Sequence, residues 1–424
     1  MNNERPQRPI LTILLLIIAG ESVFVLPFVL ARIFRPTFLE VFNIDNFELG
    51  TCFSIYGIVA FFSYFFGGIL ADKFSPGKLM SGALTLTALG GFYMSTFPNY
   101  LQLKFLFGYF GFTTIFLFWA PMIKATRLWG GEKKQGLAFG FLDGGRGLVA
   151  ASFGAIGVMI FTRMMDTGIL NSSFLERQVA FKYVIIASAF AVLLIGILVY
   201  YYIQLPKAKS ETFNEKIYTL ENFRKVMNYP SVWLMMIIIL CAYVGYKVTD
   251  IFSLYAKDIM GYDDIASAQV GTFLLYIRPI VGVLIGLLAD RTKASLWIII
   301  GFIIMLASSV IFASGIISES TNFIFVSSII LISIGVYATR VLYFALMEES
   351  KIPLAITGTA IGSISVVGYT PDIFAGPLIG ILLDNSPGGL GHRHVFMTLS
   401  VFAMVGFLAS WYFYKLNQIK KSEN

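Results

Sequence analysis

Long apolar runs alternate with short polar ones through almost the whole chain. A membrane helix needs about 20 mostly apolar residues, and the runs between charged or Pro/Gly clusters predict about twelve such spans. In the first half they fall at residues 10–31, 49–71, 79–97, 101–123, 136–162 and 183–203. The second half gives 232–256, 267–289, 296–317, 323–347, 354–383 and 395–414. Residues 204–231 mix Lys and Arg with Glu over the longest polar stretch between two spans, which predicts a linker with a short surface helix. The pattern reads as an all-α membrane protein in which two six-helix bundles, residues 1–203 and 232–424, flank that linker.

Composition agrees. Of 424 residues, 57% are hydrophobic and only 13% charged, whereas a soluble chain carries about a quarter of its residues charged. The formal charge of +7 would suggest nucleic acid in a soluble protein. Here the bases are scattered through short loops, where they meet anionic lipid headgroups instead. The run 10–31 is longer than a signal-peptide core and lacks a small-residue cleavage site, so it is expected to stay as the first span. Cys52 and Cys241 both lie inside predicted spans and offer neither a disulfide framework nor metal spacing.

Cytoplasmic loops carry the excess of Lys and Arg. With the N-terminus inside, 19 bases fall on inner segments, five of them in the linker, and eight on outer segments (Arg32, Arg35, Lys104, Arg163, Arg177, Lys182, Lys257 and Arg393). Both termini and the linker are therefore expected to be cytoplasmic.

One stretch organises the rest. Gly67-Gly68-Ile69-Leu70-Ala71-Asp72-Lys73 runs from an apolar span into a polar hinge, and Gly286-Leu287-Leu288-Ala289-Asp290-Arg291 repeats it. Gly68 and Asp72 recur at one common offset as Gly286 and Asp290. Gly136, Gly140 and Gly154 recur as Gly358, Gly362 and Gly376, again at one offset, slightly longer than the first. These echoes predict a duplication of six spans, the kind of parallel repeat that rocks about a site at the midplane.

On these residues the chain resembles the major facilitator superfamily over essentially its whole length. The Gly-x-x-x-Asp-[Arg/Lys] loops between spans two and three and spans eight and nine carry the resemblance. The first loop departs from the commonest form, which has Gly and two consecutive bases where this chain reads Phe74-Ser75-Pro76-Gly77-Lys78 after Asp72-Lys73. Gly20-Glu21-Ser22, residues 34–38, Asp143-Gly144-Gly145-Arg146-Gly147 and Gly368-Tyr369-Thr370-Pro371-Asp372 are similar to a poorly characterised bacterial branch of inner-membrane transporters. The resemblance implies a multi-pass protein of the bacterial plasma membrane. It also implies that Gly68, Asp72, Lys73, Gly286, Asp290 and Arg291 help to hold the cytoplasmic side shut.

Apart from Lys104 at the outer end of the fourth, eight charges lie inside predicted spans: Glu21, Asp143, Asp250, Asp372, Arg146, Lys247, Arg278 and Arg340. Each costs about 2.5–3.5 kcal/mol or more at the bilayer centre, so each needs a partner, a wet cavity or a task. None falls in spans three, six, nine or twelve, which face lipid in the resembled family while the others line its central cavity. Asp143 with Arg146, and Lys247 with Asp250, are spaced to neutralise one another on one helix face. In the alternative, each base is turned to the cavity with the acid tuning it. Glu21 has no base within a helical turn, which suits a group that takes and releases a proton; the bland alternative is a permanent pair with Arg146, Arg278 or Arg340. Asp372 follows Thr370-Pro371 and could simply accept hydrogen bonds at the break that the Pro makes.

Arg278 precedes Pro279 and lies twelve residues before Asp290, roughly 18 Å of helix and hence near the midplane. An Arg-Pro here resembles the eighth span of nitrate porters and of several carboxylate transporters, where the Arg binds the anion. Nitrate porters use an Arg from each half, yet the position that the Gly68–Gly286 offset matches to Arg278 is Ala60. A larger organic anion fits better, with Arg340, Arg146 or Lys247 holding other groups. Glu21, Asp143 and Asp372 are the candidate proton carriers.

His392 and His394 sit among Gly388, Gly389 and Gly391 and read as outer loop, since a metal site there would lack Cys and acids. No phosphate-binding Gly-x-x-x-x-Gly-Lys-Ser/Thr loop appears, and no Ser/His/Asp or paired-His set lies in the spans. Neither ATP, nor another cofactor, nor an enzyme is expected. The sequence reading is a monomeric secondary transporter of a carboxylate, sulfonate or sugar acid, coupled to protons. An anion exchanger, an uncoupled facilitator or a transport-dead receptor or scaffold are the alternatives.

Overall fold

The computed structural model describes residues 10–130, 135–165, 173–203, 220–350, 352, 357–386 and 388–422. The side chains of Asp72, Lys73, Asp143 and Asp290, and the surroundings of Gly68, lie outside the described set. Among the described residues there are helices and no strands.

The first span is broken. α1 (Ile10–Ser22) passes through a π-helical stretch, Val25–Val29, to the short α2 (Leu30–Ile33) and then α3 (Arg35–Phe42). Pro27 sits in the π stretch, where its missing N–H makes the wider turn tolerable. α4 (Asn46–Lys73) and α5 (Pro76–Met94) follow. Next come α6 (Tyr100–Gly111), a second π stretch at Phe112–Trp119, and α7 (Ala120–Gly130), which run on as one span. α8 (Gln135–Arg163) and α9 (Phe174–Tyr202) complete the first half, and α10 (Leu220–Met227) lies between the halves.

In the second half α11 (Pro230–Val248) turns through a 3-10 stretch, Thr249–Ile251, into α12 (Phe252–Asp258). α13 (Asp264–Arg291), α14 (Ala294–Ser314) and α15 (Asn322–Leu342) are continuous. After α16 (Leu346–Glu349), the eleventh span is divided into α17 (Thr357–Gly368) and α18 (Pro371–Asp384), with Pro371 opening the second piece. α19 (Gly389–Ser422) ends the chain's helices.

Among the described residues, ten helices are long and apolar enough to cross a membrane, and the bent pair Ile10–Ser22 and Val25–Ile33 makes an eleventh. The twelfth is α5, whose Lys78, hydroxyl and glycine residues dilute an otherwise apolar 19-residue helix. Two helix starts differ by more than three residues from the hydropathy reading. α9 starts at Phe174 rather than 183 because Ser173 and Glu176 cap each other's backbone N–H groups at 3.2 and 2.8 Å. α19 starts at Gly389 rather than 395, which corrects the placement of His392 and His394: both lie in its first turns, not in a loop.

The described helices group into two units. The first comprises Met1–Ile44, Ile55–Lys207 and Asp263–Pro279; the second comprises Asp45–Ser54, Ala208–Tyr262 and Ile280–Asn424. In the first unit Phe34 packs against Phe161 and Phe181, with ring centroids 5.3 and 5.5 Å away. Arg177 of α9 bonds Glu40 of α3 at 2.5 Å and approaches Asp264 of α13 at 3.8 Å. In the second unit Phe312 stacks on Phe396 at 4.4 Å, beside Phe252 and Tyr255. α4 and α18 cross there almost backbone to backbone: a Cβ on Gly50 would lie 2.3 Å from the Gly376 carbonyl carbon.

Candidate functional site

Two buried ion pairs stand out, one within each unit. In the first, Arg146 of α8 donates from Nε to Glu21 Oε2 of α1 at 3.0 Å. Both residues are buried. Glu21 is the last residue but one of α1, where the helix gives way to the broken segment. The Arg146 guanidinium also lies 5.3 Å from the Phe24 ring centroid and 5.6 Å from that of Trp119, within cation–π range. Trp119 closes the π stretch of the fourth span, so two irregular turns deliver the rings that hold one guanidinium. Irregular turns of this kind gather at functional sites.

Arg278 belongs to the same unit and is buried. Its stem lies against α8 at Gly147: a Cβ there would meet Pro279 Cδ at 2.9 Å and Arg278 Cγ at 3.3 Å. The residue after Arg146 must therefore be Gly for the Arg-Pro step of α13 to come so close.

In the second unit Lys247 Nζ of α11 lies 2.8 Å from Asp372 Oδ1 of α18. The Tyr243 hydroxyl donates to both Asp372 oxygens at 3.1 Å. The Arg340 guanidinium lies 3.4 Å from the Tyr246 ring centroid and 5.7 Å from that of Tyr243. Tyr369 packs edge-on to Tyr243 at 5.1 Å and shares a 3.2 Å hydrogen bond with Tyr343. Lysine, arginine, carboxylate and four tyrosines are thus gathered at the breaks of the seventh and eleventh spans. Asp250 is buried in the 3-10 turn beyond Lys247.

At the repeated hinge, Lys124 of α7 donates to the Ala71 carbonyl at 2.8 Å. In the second half Glu349 accepts from the Ser295 N–H at the start of α14 at 2.9 Å. Arg291 is exposed at the end of α13. His392 is buried and contacts Asp258 from Nε2 at 3.0 Å, and no group of three metal-ligating side chains occurs among the described residues.

A chain of broken apolar helices with ion pairs buried at the breaks matches the family model described as Major Facilitator Superfamily over residues 10–371. The chain belongs to the major facilitator superfamily. Two relatives are Escherichia coli (strain K12) proteins: Inner membrane protein YqcE, 26% identical over 93% of this chain and 92% of its own, and Inner membrane protein YihN, 26% identical over 96% of each. A solved structure of a bacterial homologue of the human lysosomal transporter Spinster, inward-facing and unoccupied, superposes with a TM-score of 0.74 at 15% identity, covering 97% of this chain and 98% of the other. A D-xylose-proton symporter gives 0.73 at 14%, covering 96% and 97%. These structures share the fold of a major facilitator: an all-α protein of twelve membrane helices in two six-helix bundles.

The sequence reading gave Arg146 as one of three bases that could pair with Glu21 and did not put Lys247 with Asp372, because partners 125 residues apart share no helical turn. A signal did exist. Lys247 follows Glu21 by the same interval at which Asp372 follows Arg146. The tyrosines at 243, 246, 343 and 369 carried no signal of their own in a chain with 21 of them.

Proposed function

We propose that this major facilitator moves a small organic anion, a carboxylate, sulfonate or sugar acid, together with protons by alternating access. The observation that carries the reading is the Glu21–Arg146 pair, a buried guanidinium clasped by two rings and neutralised by a carboxylate on another helix. Protonating such an acid leaves a desolvated cation, whose planar donor fork suits a carboxylate or sulfonate. The anion-binding cations are drawn from Arg278, Arg340, Arg146 and Lys247, and the coupling acids from Glu21, Asp143 and Asp372. Gly68, Asp72, Lys73, Gly286, Asp290 and Arg291 act as the gate. The halves 1–203 and 232–424 move about the linker 204–231, in a monomer of the bacterial plasma membrane with both termini cytoplasmic.

The test begins with a thermal-shift screen of anionic metabolites on the solubilised protein, followed by uptake of the stabilising anion into proteoliposomes. Uptake should rise with an inward proton gradient and carry protons with it. Absence of stabilisation and uptake for every anion would overturn the reading. The bond between Glu21 and Arg146 also favours a second reading, in which the pair never opens and the protein is an exchanger or facilitator. Substrate flux without proton flow would select it.

A further inference from the structure

The two ion pairs join corresponding spans of the two halves, the first to the fifth and the seventh to the eleventh, with their charges exchanged. Lys247 stands to Glu21, and Asp372 to Arg146, at one and the same interval along the chain, so the partners are 125 residues apart in each pair. Glu21 is the last residue but one of α1, and Lys247 is the last but one of α11. Each helix stops at an irregular turn just beyond. Corresponding spans therefore carry opposite charge, and backbone fields do not treat the two alike.

The last turn of a helix bears partial negative charge and the first turn partial positive charge. Lys247 stands in the last turn of α11 and Asp372 in the first turn of α18, so both helix ends reinforce the Lys247–Asp372 pair. Glu21 stands in the last turn of α1, where the field opposes a carboxylate, and Arg146 lies mid-helix in α8. The other anchors differ in the same sense. Asp372 is held a second time by the Tyr243 hydroxyl on both oxygens. Arg146 has the Phe24 and Trp119 rings beside it as well as Glu21. Glu21 faces Arg146 on α8, and Arg278 on α13 packs its stem at Gly147, the next residue of α8. Lys124 of α7 is engaged at the Ala71 carbonyl. Asp372 faces Lys247 on α11 and, across Tyr243, Arg340 on α15.

We propose that Glu21–Arg146 is the pair that opens in each cycle and that Lys247–Asp372 stays closed throughout. The substrate anion takes the place of the Glu21 carboxylate on Arg146, and Glu21 accepts a proton from the aqueous side through which the anion entered. On release the proton leaves and the pair re-forms, so one monovalent anion and one proton cross together without net charge. This narrows the anion and proton reading above and rests on it. Asp372 is a positioning residue for the second-half cluster, not a proton carrier.

The experiment is infrared difference spectroscopy of the full-length protein in liposomes between alkaline and acidic pH, without and with gluconate as the probe anion. The wild type should show a protonated-carboxyl band, resolved from those of the exposed acids among its 24 Asp and Glu residues, that vanishes in Glu21→Gln, persists in Glu21→Asp and persists in Asp372→Asn. Gluconate should strengthen the band, and Glu21→Gln should bind gluconate at alkaline pH at least tenfold more tightly than the wild type does. A band that vanishes in Asp372→Asn, or survives in Glu21→Gln, overturns the choice of pair. A Glu21 band that responds neither to gluconate nor to any anion of the thermal-shift screen overturns the anion reading itself. Should Glu21→Gln fold poorly, Glu21→Gln with Arg146→Gln removes both charges and must also lack the band.

Discussion

The carboxylate of Asp384, the last residue of α18, accepts the backbone N–H of Phe47 in the first turn of α4 at 2.6 Å. Its other oxygen takes the Asn46 N–H and side-chain amide at 3.3 and 3.0 Å. An acid reaching across from another helix thus adds to the cap that α4 has in its own sequence, where Asp45 accepts from the Glu48 N–H at 2.7 Å and Glu48 from the Asp45 N–H at 3.1 Å. Replacing a capping carboxylate costs about 0.5–2 kcal/mol. Asp384→Ala should lower the melting temperature of the purified protein, and Asp384→Asn should recover part of the loss. A melt indistinguishable from wild type would show that the cap carries no stability.

The same crossing depends on glycine. With no room for a Cβ between Gly50 and the Gly376 backbone, Gly50→Ala should force α4 and α18 apart at a cost of about 1–3 kcal/mol. Gly144, where a Cβ would meet nothing within 4 Å, is the control. Gly144→Ala should leave the thermal melt unchanged or raise it, and equal losses at both positions would refute the packing argument.

Breaking the Lys247–Asp372 pair from one side should cost more than deleting it. Lys247→Met strands a largely buried carboxylate, a change worth about 3–5 kcal/mol, whereas replacing both partners by apolar residues is often close to neutral. Melting of Lys247→Met should fall sharply, and Lys247→Met with Asp372→Leu should restore most of it. A double variant no better than the single one would mean that the charge itself is required for folding.

Arg278 carries the most specific expectation for binding. Losing a desolvated partner of an anion costs about 2–5 kcal/mol, so Arg278→Ala should weaken a stabilising anion by at least roughly thirtyfold. Arg278→Lys keeps the charge without the fork and should fall between the two. Titration calorimetry on a well-folded variant decides it, and near-normal affinity in Arg278→Ala removes this residue from the site.

Orientation is open to a chemical test. An impermeant thiol reagent added to intact cells should label Asn385→Cys and spare Lys209→Cys, as the distribution of bases requires. The reverse pattern would invert the topology.

Much of the fold was legible because the bilayer imposes a length on every helix and a cost on every charge. The hinge at Asp72, its echo at Asp290 and the break before Pro371 all follow from that. Where polar residues belong to a helix, the same rule misleads. Glu176, Arg177 and Lys182 pushed the predicted start of the sixth span inward, although Ser173 caps the helix well before them and Arg177 is spent on Glu40. His392 read as loop because a glycine-rich stretch preceded it, yet it is buried in α19 against Tyr255 and Asp258. The choice of partner for each buried charge was out of reach for another reason. Pairing across 125 residues leaves no local pattern, and only the common interval between the halves records it.

That each ion pair lies within one half of the chain bears on how the protein is made. An unmatched charge left in a bilayer costs about 2.5–3.5 kcal/mol or more. As the first six helices leave the ribosome, Glu21 can find Arg146 before any later residue exists, and Lys247 needs only Asp372 from its own half. For these four charges, neither half has to wait in the membrane for the other to be synthesised.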